Sequence, residues 1–364
     1  MHLINLLSWL PGHSGFGSYV QRVVPGLDGL RLQLGADGQG ALLRPEQWLA
    51  DPPAWAPGRR MRFLQRYSLV QHGLDLPALL QRNGIKLDQL EAIYSPFFDA
   101  LLCWPQVPQL ITCHDLTPLV ASNSRKAWLR YRLWQPRHCR VATRLIAISR
   151  YVADQLVQIG VEAERIEVIP NGIYIQRPPV LVPSSQDLVA IARHDVNKNL
   201  AALFRGIDQL QRQWPQWHGT LRIIGRCGRQ TPLVRRLHRA LPNPEQVCLI
   251  DALPQAELIA LLRSSLALLS ASTEEGFDYP VLEAKAEGIP TLISDIPVHR
   301  EFHQGSSLLF PTDDDGTALA GQVRALLGDS SLWLHLSRAG LGVARSLNVE
   351  VQTAHIDDQL KSVS

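Results

Sequence analysis

Short apolar runs of strand length alternate with helix-length stretches along almost the whole chain. That alternation restricts the fold to parallel sheets covered by helices on both faces. Strand candidates in the first half are Leu3–Trp9, Leu30–Leu34, Ala92–Ser95, Gln109–Cys113, Arg144–Ile148 and Glu167–Ile169. Helical patterns fall between them at Ser18–Val24, Arg60–Gln71, Leu76–Asn83, Lys126–Cys139 and Arg150–Gly160. The second half repeats the scheme, with strands at Leu188–Ala192, Thr220–Ile224, Val247–Ile250, Leu266–Leu269, Pro290–Ile293 and Ser307–Phe310. Helices are expected there at Lys198–Trp214, Thr231–Ala240, Gln255–Ser264, Pro280–Glu287, Gly316–Leu327 and Ser330–Arg345. The seam is Pro170–Asp187, a proline-rich stretch with few helix formers that reads as a linker. The fold class is therefore α/β, with two doubly wound, Rossmann-like domains at 1–175 and 176–345, followed by a C-terminal helix within 346–364. Ligands of such sheets bind beyond the carboxyl ends of the strands, so two domains facing across a shared cleft are expected.

Composition excludes several classes. No stretch approaches the roughly 20 apolar residues of a spanning helix. The opening MHLINLLSWLPGHSG lacks a basic leader and a small-residue cleavage site, so it reads as a first strand running into a glycine loop. Five scattered cysteines form no C-x-x-C pair, which fits a reducing, cytoplasmic compartment. Cys113 and Cys248, inside apolar runs, are expected to be small core residues. The net charge of +3 is too small for a nucleic-acid partner, although residues 1–175 carry about +5 and the remainder about −2.

The most informative motif is TEEGFDYPVLEAKAEG, Thr273–Gly288. Gly276 permits close approach of the chain to a ligand. Pro280 suits the first turn of a helix, whose unpaired N–H groups near Tyr279 to Leu282 favour phosphate. Glu283, one turn in, can accept hydrogen bonds from a sugar diol. A donor set for diphosphate and acceptors for hydroxyls on one corner suit a nucleotide sugar. The plain alternative is a strand–turn–helix corner with two solvated glutamates.

Three further stretches carry chemistry. GHSGFGSY, Gly12–Tyr19, places Gly15 and Gly17 where backbone N–H groups can approach an anion. With Asp37 as ribose acid it could instead announce a dinucleotide fold and an NAD-dependent oxidoreductase, although Asp37 lies in the turn-like GADGQG. TCHDLTP puts His114 at a strand end, where a neutral imidazole can bond a sugar hydroxyl, with Asp115 to orient it or cap the next turn. ARHDVNKNL closes a strand with Arg193 and opens a helix with Lys198, a fork and a point charge suited to a diphosphate leaving group.

These motifs together resemble the family-4 retaining glycosyltransferases, group 1, of GT-B architecture. The spacing of Glu275 and Glu283 and that of Arg193 and Lys198 match the family's signature. VIPNG (Val168–Gly172), IAISRYVADQL (Ile146–Leu156) and SDIPVHRE (Ser294–Glu301) are similar to its hinge, its preceding strand–Ser–helix and its polysaccharide and O-antigen mannosyltransferases. The resemblance implies that Glu275 lies at the transferred sugar, that Glu283 binds the ribose, and that Arg193 and Lys198 clamp the donor phosphates. It also implies that Gly15 and Gly17 face the diphosphate, that Gly276, Phe277 and Asp278 line the donor, and that His114 assists near the anomeric carbon. The implied partners are a nucleotide-sugar donor, with GDP-mannose first, and a glycan or lipid-diphosphate acceptor. Ala192, Asp278, Lys285 and Glu287 depart from the family pattern. A binding protein of the same fold without turnover is the other alternative.

No cofactor and no metal are expected. The only Asp-x-Asp, Asp313–Asp315, reads as a solvated turn, and cationic side chains would take a divalent ion's part. Finally, Arg125–Arg140 mixes tryptophans with arginines around a helix that Pro136 should kink or end. It is either a surface helix with snorkelling arginines or a contact for an anionic membrane or lipid-linked acceptor.

Overall fold

The computed structural model describes residues 1–9, 15–34, 40–50, 69–120 and 125–364. The chain forms two units. Unit 1 comprises Met1–Leu116, Trp128–Gly172 and Val349–Ser364, and unit 2 comprises Thr117–Ala127 and Ile173–Asn348.

Unit 1 holds a seven-stranded sheet, made of β1 (His2–Asn5), β2 (Leu30–Leu34), β3 (Gly40–Leu43), β4 (Ala92–Ser95), β5 (Gln109–Cys113), β6 (Arg144–Ala147) and β7 (Ile166–Val168). Its order is β3-β2-β1-β4-β5-β6-β7, parallel except for β3 on β2. The antiparallel edge strand β3 was not evident in the sequence, because four residues beside the glycine-rich GADGQG look like a loop. The helix Val349–Val363 lies against β4, β5 and the helix Gly15–Val23. Val349, Ile356 and Leu360 are wholly buried by that packing.

Unit 2 holds a six-stranded, all-parallel sheet of β8 (Leu188–Ile191), β9 (Leu221–Ile224), β10 (Val247–Ile250), β11 (Ala267–Ser270), β12 (Thr291–Ser294) and β13 (Leu308–Phe310). Its order is β10-β9-β8-β11-β12-β13. Side chains alternate across each strand, so a sheet covered on both faces needs apolar residues at every position. β11 shows this directly: Ala267 and Leu269 join one core with Phe204, Trp217 and Trp333, while Leu268 joins another with Val281 and Ile293. Strand order reverses between β8 and β11, and in such sheets the loops at that point form the ligand crevice.

Several expectations are corrected. Cys248 is exposed, because β10 is an edge strand, whereas Cys113 on the central β5 is buried. Pro136 does not end its helix, which runs Arg125–Val141; the ring is on the exposed side, where a freed carbonyl meets water. Thr117–Ala127 groups with unit 2 rather than with the first domain. The linker is tied down from Pro178 onward: Arg263 donates to the Pro178 carbonyl (3.0 Å) and Val180 N–H to the Glu287 carbonyl (2.8 Å). The helical pattern Arg60–Gln71 falls mostly outside the described residues, as do Gly12 to Ser14 and Asp37.

Candidate functional site

The two loops that leave β8 and β11 meet at the reversal point of unit 2. After β8 the chain makes a single 3-10 turn, Val196–Lys198, and the helix Leu200–Gln213 begins only afterwards. Lys198 therefore precedes the helix instead of opening it, so the expected conflict with the helix dipole is weaker. The buried Asn197 staples the loops: its carbonyl accepts from Thr273 N–H (2.8 Å) and its amide donates to the Glu274 carbonyl (3.2 Å). Beside that staple the Lys198 ammonium donates to the Glu275 carboxylate. Asn197 was missed in the sequence, where it is one polar residue in HDVNKN. Its position between Arg193 and Lys198 was the available signal.

The surroundings of the pair are dry. The Lys198 side chain is 22% exposed and that of Glu275 is 12% exposed. Burial pushes the Glu275 carboxyl above its usual range; Asp278 adds to the rise, and Lys198 opposes it. Arg193 stands on the open shoulder of the same turn, 65% exposed, with its Nε 3.5 Å from Asp195 Oδ2. The loop after β9 closes in beneath. A Cβ on Gly225 would fall 1.9 Å from the Ala192 carbonyl oxygen, so the close approach that a glycine before the arginine would allow is supplied from the neighbouring strand.

The corner beyond Glu275 differs in detail from expectation. Its helix is Tyr279–Ala286, with Pro280 in the first turn. The Val281 N–H is already used by the Asp278 carbonyl (3.1 Å), so fewer amides remain for an anion than the sequence suggested. Phe277 is 3% exposed and its ring packs against Tyr279 and Phe302, with centroids 5.5 and 4.9 Å apart. Asp278 adopts φ 72°, ψ 71° and buries its carboxylate against Ser270 and His299. Phe277 and Asp278 thus turn their side chains inward, which leaves Gly276 and the main chain as what the corner can present. Glu283 is half-buried on the second turn.

The other departures from the family pattern have structural partners as well. Lys285 is 1% exposed; burial pushes its ammonium down to about 7, and it donates to Ser306 Oγ (2.6 Å). Gly340 makes room for its stem, since a Cβ there would lie 2.9 Å from Lys285 Cγ. Glu287 receives Arg263 (2.5 Å) and Arg177 (3.5 Å), and so anchors the linker. Asp314 and Asp315 accept main-chain N–H groups at the head of the helix Thr317–Gly328. Among the described residues no group of three or more His, Cys, Asp or Glu is placed to hold a metal ion.

In unit 1 the strand order reverses between β1 and β4. Asn5 at the end of β1 donates to Ser95 at the end of β4 (2.8 Å). His114 follows β5 and is buried; its Nε2 lies 2.8 Å from the Pro96 carbonyl, which fixes that nitrogen as the protonated one. Burial pushes its pKa down to about 4, so the ring is neutral at physiological pH. Tyr19 meets the imidazole edge-on at 4.5 Å. The Tyr19 hydroxyl joins Tyr94 (2.7 Å), which in turn bonds Thr112 (2.9 Å), a buried hydroxyl network that sequence reasoning did not find. Gly15 and Gly17 lie in the first turn of the helix Gly15–Val23, not in a loop ahead of it.

Comparison with known proteins agrees with this arrangement. Residues 14–177 match Glycosyltransferase Family 4, and residues 185–329 match Glycosyl transferases group 1. The chain belongs to this family. It is 25% identical over 215 residues to the O-antigen chain mannosyltransferase RfbU of Salmonella typhimurium, a match covering 57% of this chain and 58% of the relative. It is also 25% identical over 209 residues to the lipopolysaccharide 1,6-galactosyltransferase of the same organism, covering 52% and 56%. The chain thus matches less than two thirds of the length of these curated relatives. Among solved structures, Anabaena HepE in complex with UDP and glucose superposes with a TM-score of 0.74 at 16% identity, covering 100% of both chains. The fold is GT-B, with two parallel-sheet α/β domains of the kind the sequence indicated. No helix among the described residues is long and apolar enough to cross a membrane.

Proposed function

We propose that this protein is a retaining hexosyltransferase, moving mannose from GDP-mannose to a glycan or lipid-diphosphate acceptor in polysaccharide synthesis. The observation that carries the reading is the Lys198–Glu275 contact at the reversal point of the unit 2 sheet, with Arg193 exposed on the same turn. A cation held there before reaction, in a partly dry setting, stabilises the charge that develops on a departing diphosphate. Glu275 is assigned the hydroxyls of the donor sugar, Glu283 the ribose, and His114 a neutral hydrogen-bonding role at the transferred sugar. Gly15, Gly17 and Gly276 are assigned close backbone approach to the donor. Retention follows the family's same-face attack, with the leaving phosphate taking the acceptor proton. Mannose is favoured over galactose by the similarity to RfbU and by SDIPVHRE.

Turnover is proposed to need no metal, because Arg193 and Lys198 supply the positive charge; a chelator should leave the rate unchanged. The outward face of the helix Arg125–Val141 is proposed to touch an anionic membrane. Trp128, Leu129 and Leu133 are 40, 51 and 50% exposed and share that face with Arg132, Arg137 and Arg140. The inward face instead carries Gln135, bonded to the Phe98 carbonyl (2.7 Å), and His138, which accepts from Ala100 N–H (3.0 Å).

The deciding experiment is a thermal-shift screen of GDP, UDP, ADP and dTDP followed by transfer assays with the matching sugar nucleotides. A ligand that binds only the folded state raises the melting temperature, so GDP should stand out. Stabilisation by none of the four, or by NADH instead, would sink the reading.

A further inference from the structure

We propose that Asp278 and His299 form a positioning pair that holds the Glu275 loop in register, doing with a buried bond what a glycine would do by conformational freedom. The inference rests on the reading of this corner as the donor site. Asp278 is one of two non-glycine residues at positive φ among the described residues, the other being Asn199. Aspartate tolerates that left-handed region better than most side chains, yet it still needs neighbours that hold it there.

The neighbours are specific. The Asp278 side chain is 2% exposed and that of His299 is wholly buried. Asp278 Oδ2 accepts from Ser270 Oγ at 2.5 Å and faces His299 Nε2 at 3.2 Å. His299 Nδ1 lies 2.7 Å from the Ser294 carbonyl, an acceptor only, so that nitrogen carries a proton. The imidazole therefore has an oxygen at each end. Burial pushes the Asp278 carboxyl up, but the bonds from His299 and Ser270 and the charge of Lys198 outweigh it and hold the group well below the usual carboxylate range. Ser294 also donates to the Ser272 carbonyl (2.5 Å). The loop between Ser272 and Asp278 is thus tied at both ends to one network, which runs from β11 through His299 to β12. Between those ties stands Glu275, gripped by Lys198. Releasing one tie would let Glu275 and the amides before Tyr279 drift, and displacement of about 1 Å at a reacting centre costs up to about 100-fold in rate.

Four variants test the pair: Asp278→Gly, His299→Ala, the double variant and Asp278→Asn. Glycine accepts the left-handed turn, so Asp278→Gly removes the carboxylate without straining the fold. Asparagine accepts the turn and keeps a bond to the imidazole. Hydrogen exchange of the unliganded protein, read on the peptide covering 272–286, should quicken about 10-fold in Asp278→Gly and His299→Ala. The double variant should exchange no faster than either single variant, and Asp278→Asn should stay near the parent. Nucleotide release from GDP-mannose and UDP-glucose should show the same order in kcat, with GDP and UDP binding changed far less. Unchanged exchange in Asp278→Gly, multiplied effects in the double variant, or no recovery in Asp278→Asn would overturn the pairing. Absence of turnover in the parent would instead overturn the donor-site reading, and the exchange result would still decide the pairing. Should His299→Ala fail to fold, the Gly and Asn variants decide the matter.

Discussion

The Lys198 ammonium rests on the Glu275 carboxylate, joining the loop that follows β8 to the loop that follows β11. The ion pair bridges the one place in the sheet where strand order reverses, so its two members come from sequence positions far apart and meet only through topology. Replacement of Lys198 by Ala removes a charge partner of the proposed leaving group and strands a buried carboxylate. Turnover should fall on the order of 100-fold or more, and by a similar factor in Arg193→Ala. Steady-state rates at saturating donor check this; near-normal rates in both variants would count against the site.

Glu283→Ala should behave differently. A ribose contact persists unchanged through the reaction, so its loss weakens donor binding without slowing the chemical step. The donor KM should rise about 10-fold or more, as loss of a hydrogen bond to a charged group implies, while kcat stays near the parent value.

Lys285 makes a stability prediction with a definite sign. Its pKa is pushed down to about 7 in the folded protein, from 10.5 when exposed. Between those values the unfolded chain binds the extra proton, so this group's penalty on folding is complete below about pH 7 and disappears as pH rises through 10.5. Lys285→Met should therefore stabilise the protein at pH 7, by a few kcal/mol at most, and the gain should shrink between pH 8 and pH 10. Urea denaturation at three pH values reads this directly.

The outward helix face predicts lipid selectivity. Binding to vesicles containing phosphatidylglycerol should exceed binding to pure phosphatidylcholine and should weaken with salt. Arg132→Ala and Arg137→Ala should each reduce it by about fivefold, the worth of one basic residue near an anionic surface. Equal binding to both vesicle types would exclude this contact.

Much of this architecture was legible in the sequence, because parallel strands buried on both faces are written as continuous apolar runs. Leu30–Leu34, Ala92–Ser95, Gln109–Cys113 and Val247–Ile250 were legible to the residue for that reason. Edges were harder: Gly40–Leu43 and the exposed Cys248 sit where one face is open or the partner strand is antiparallel. At the site, single residues could be read but their pairings could not. Asp278, Lys285 and Glu287 looked like isolated departures from a pattern. The fold supplies each with a partner distant in sequence: His299, Ser306 and Arg263. Likewise nothing local in HDVNKN marks Asn197 as the staple between two loops. Sequence spacing reports what a strand end carries, and only the sheet order decides which strand ends are neighbours.

The return of Val349–Val363 to the first sheet bears on how the molecule is made. Residues that emerge first from the ribosome leave an apolar face on β4 and β5 waiting for Ile356 and Leu360. The second unit is contiguous through Ile173–Asn348 and can condense earlier, so the half that begins synthesis would be the last to mature. A premature stop near the 3′ end of the message would injure the amino-terminal half.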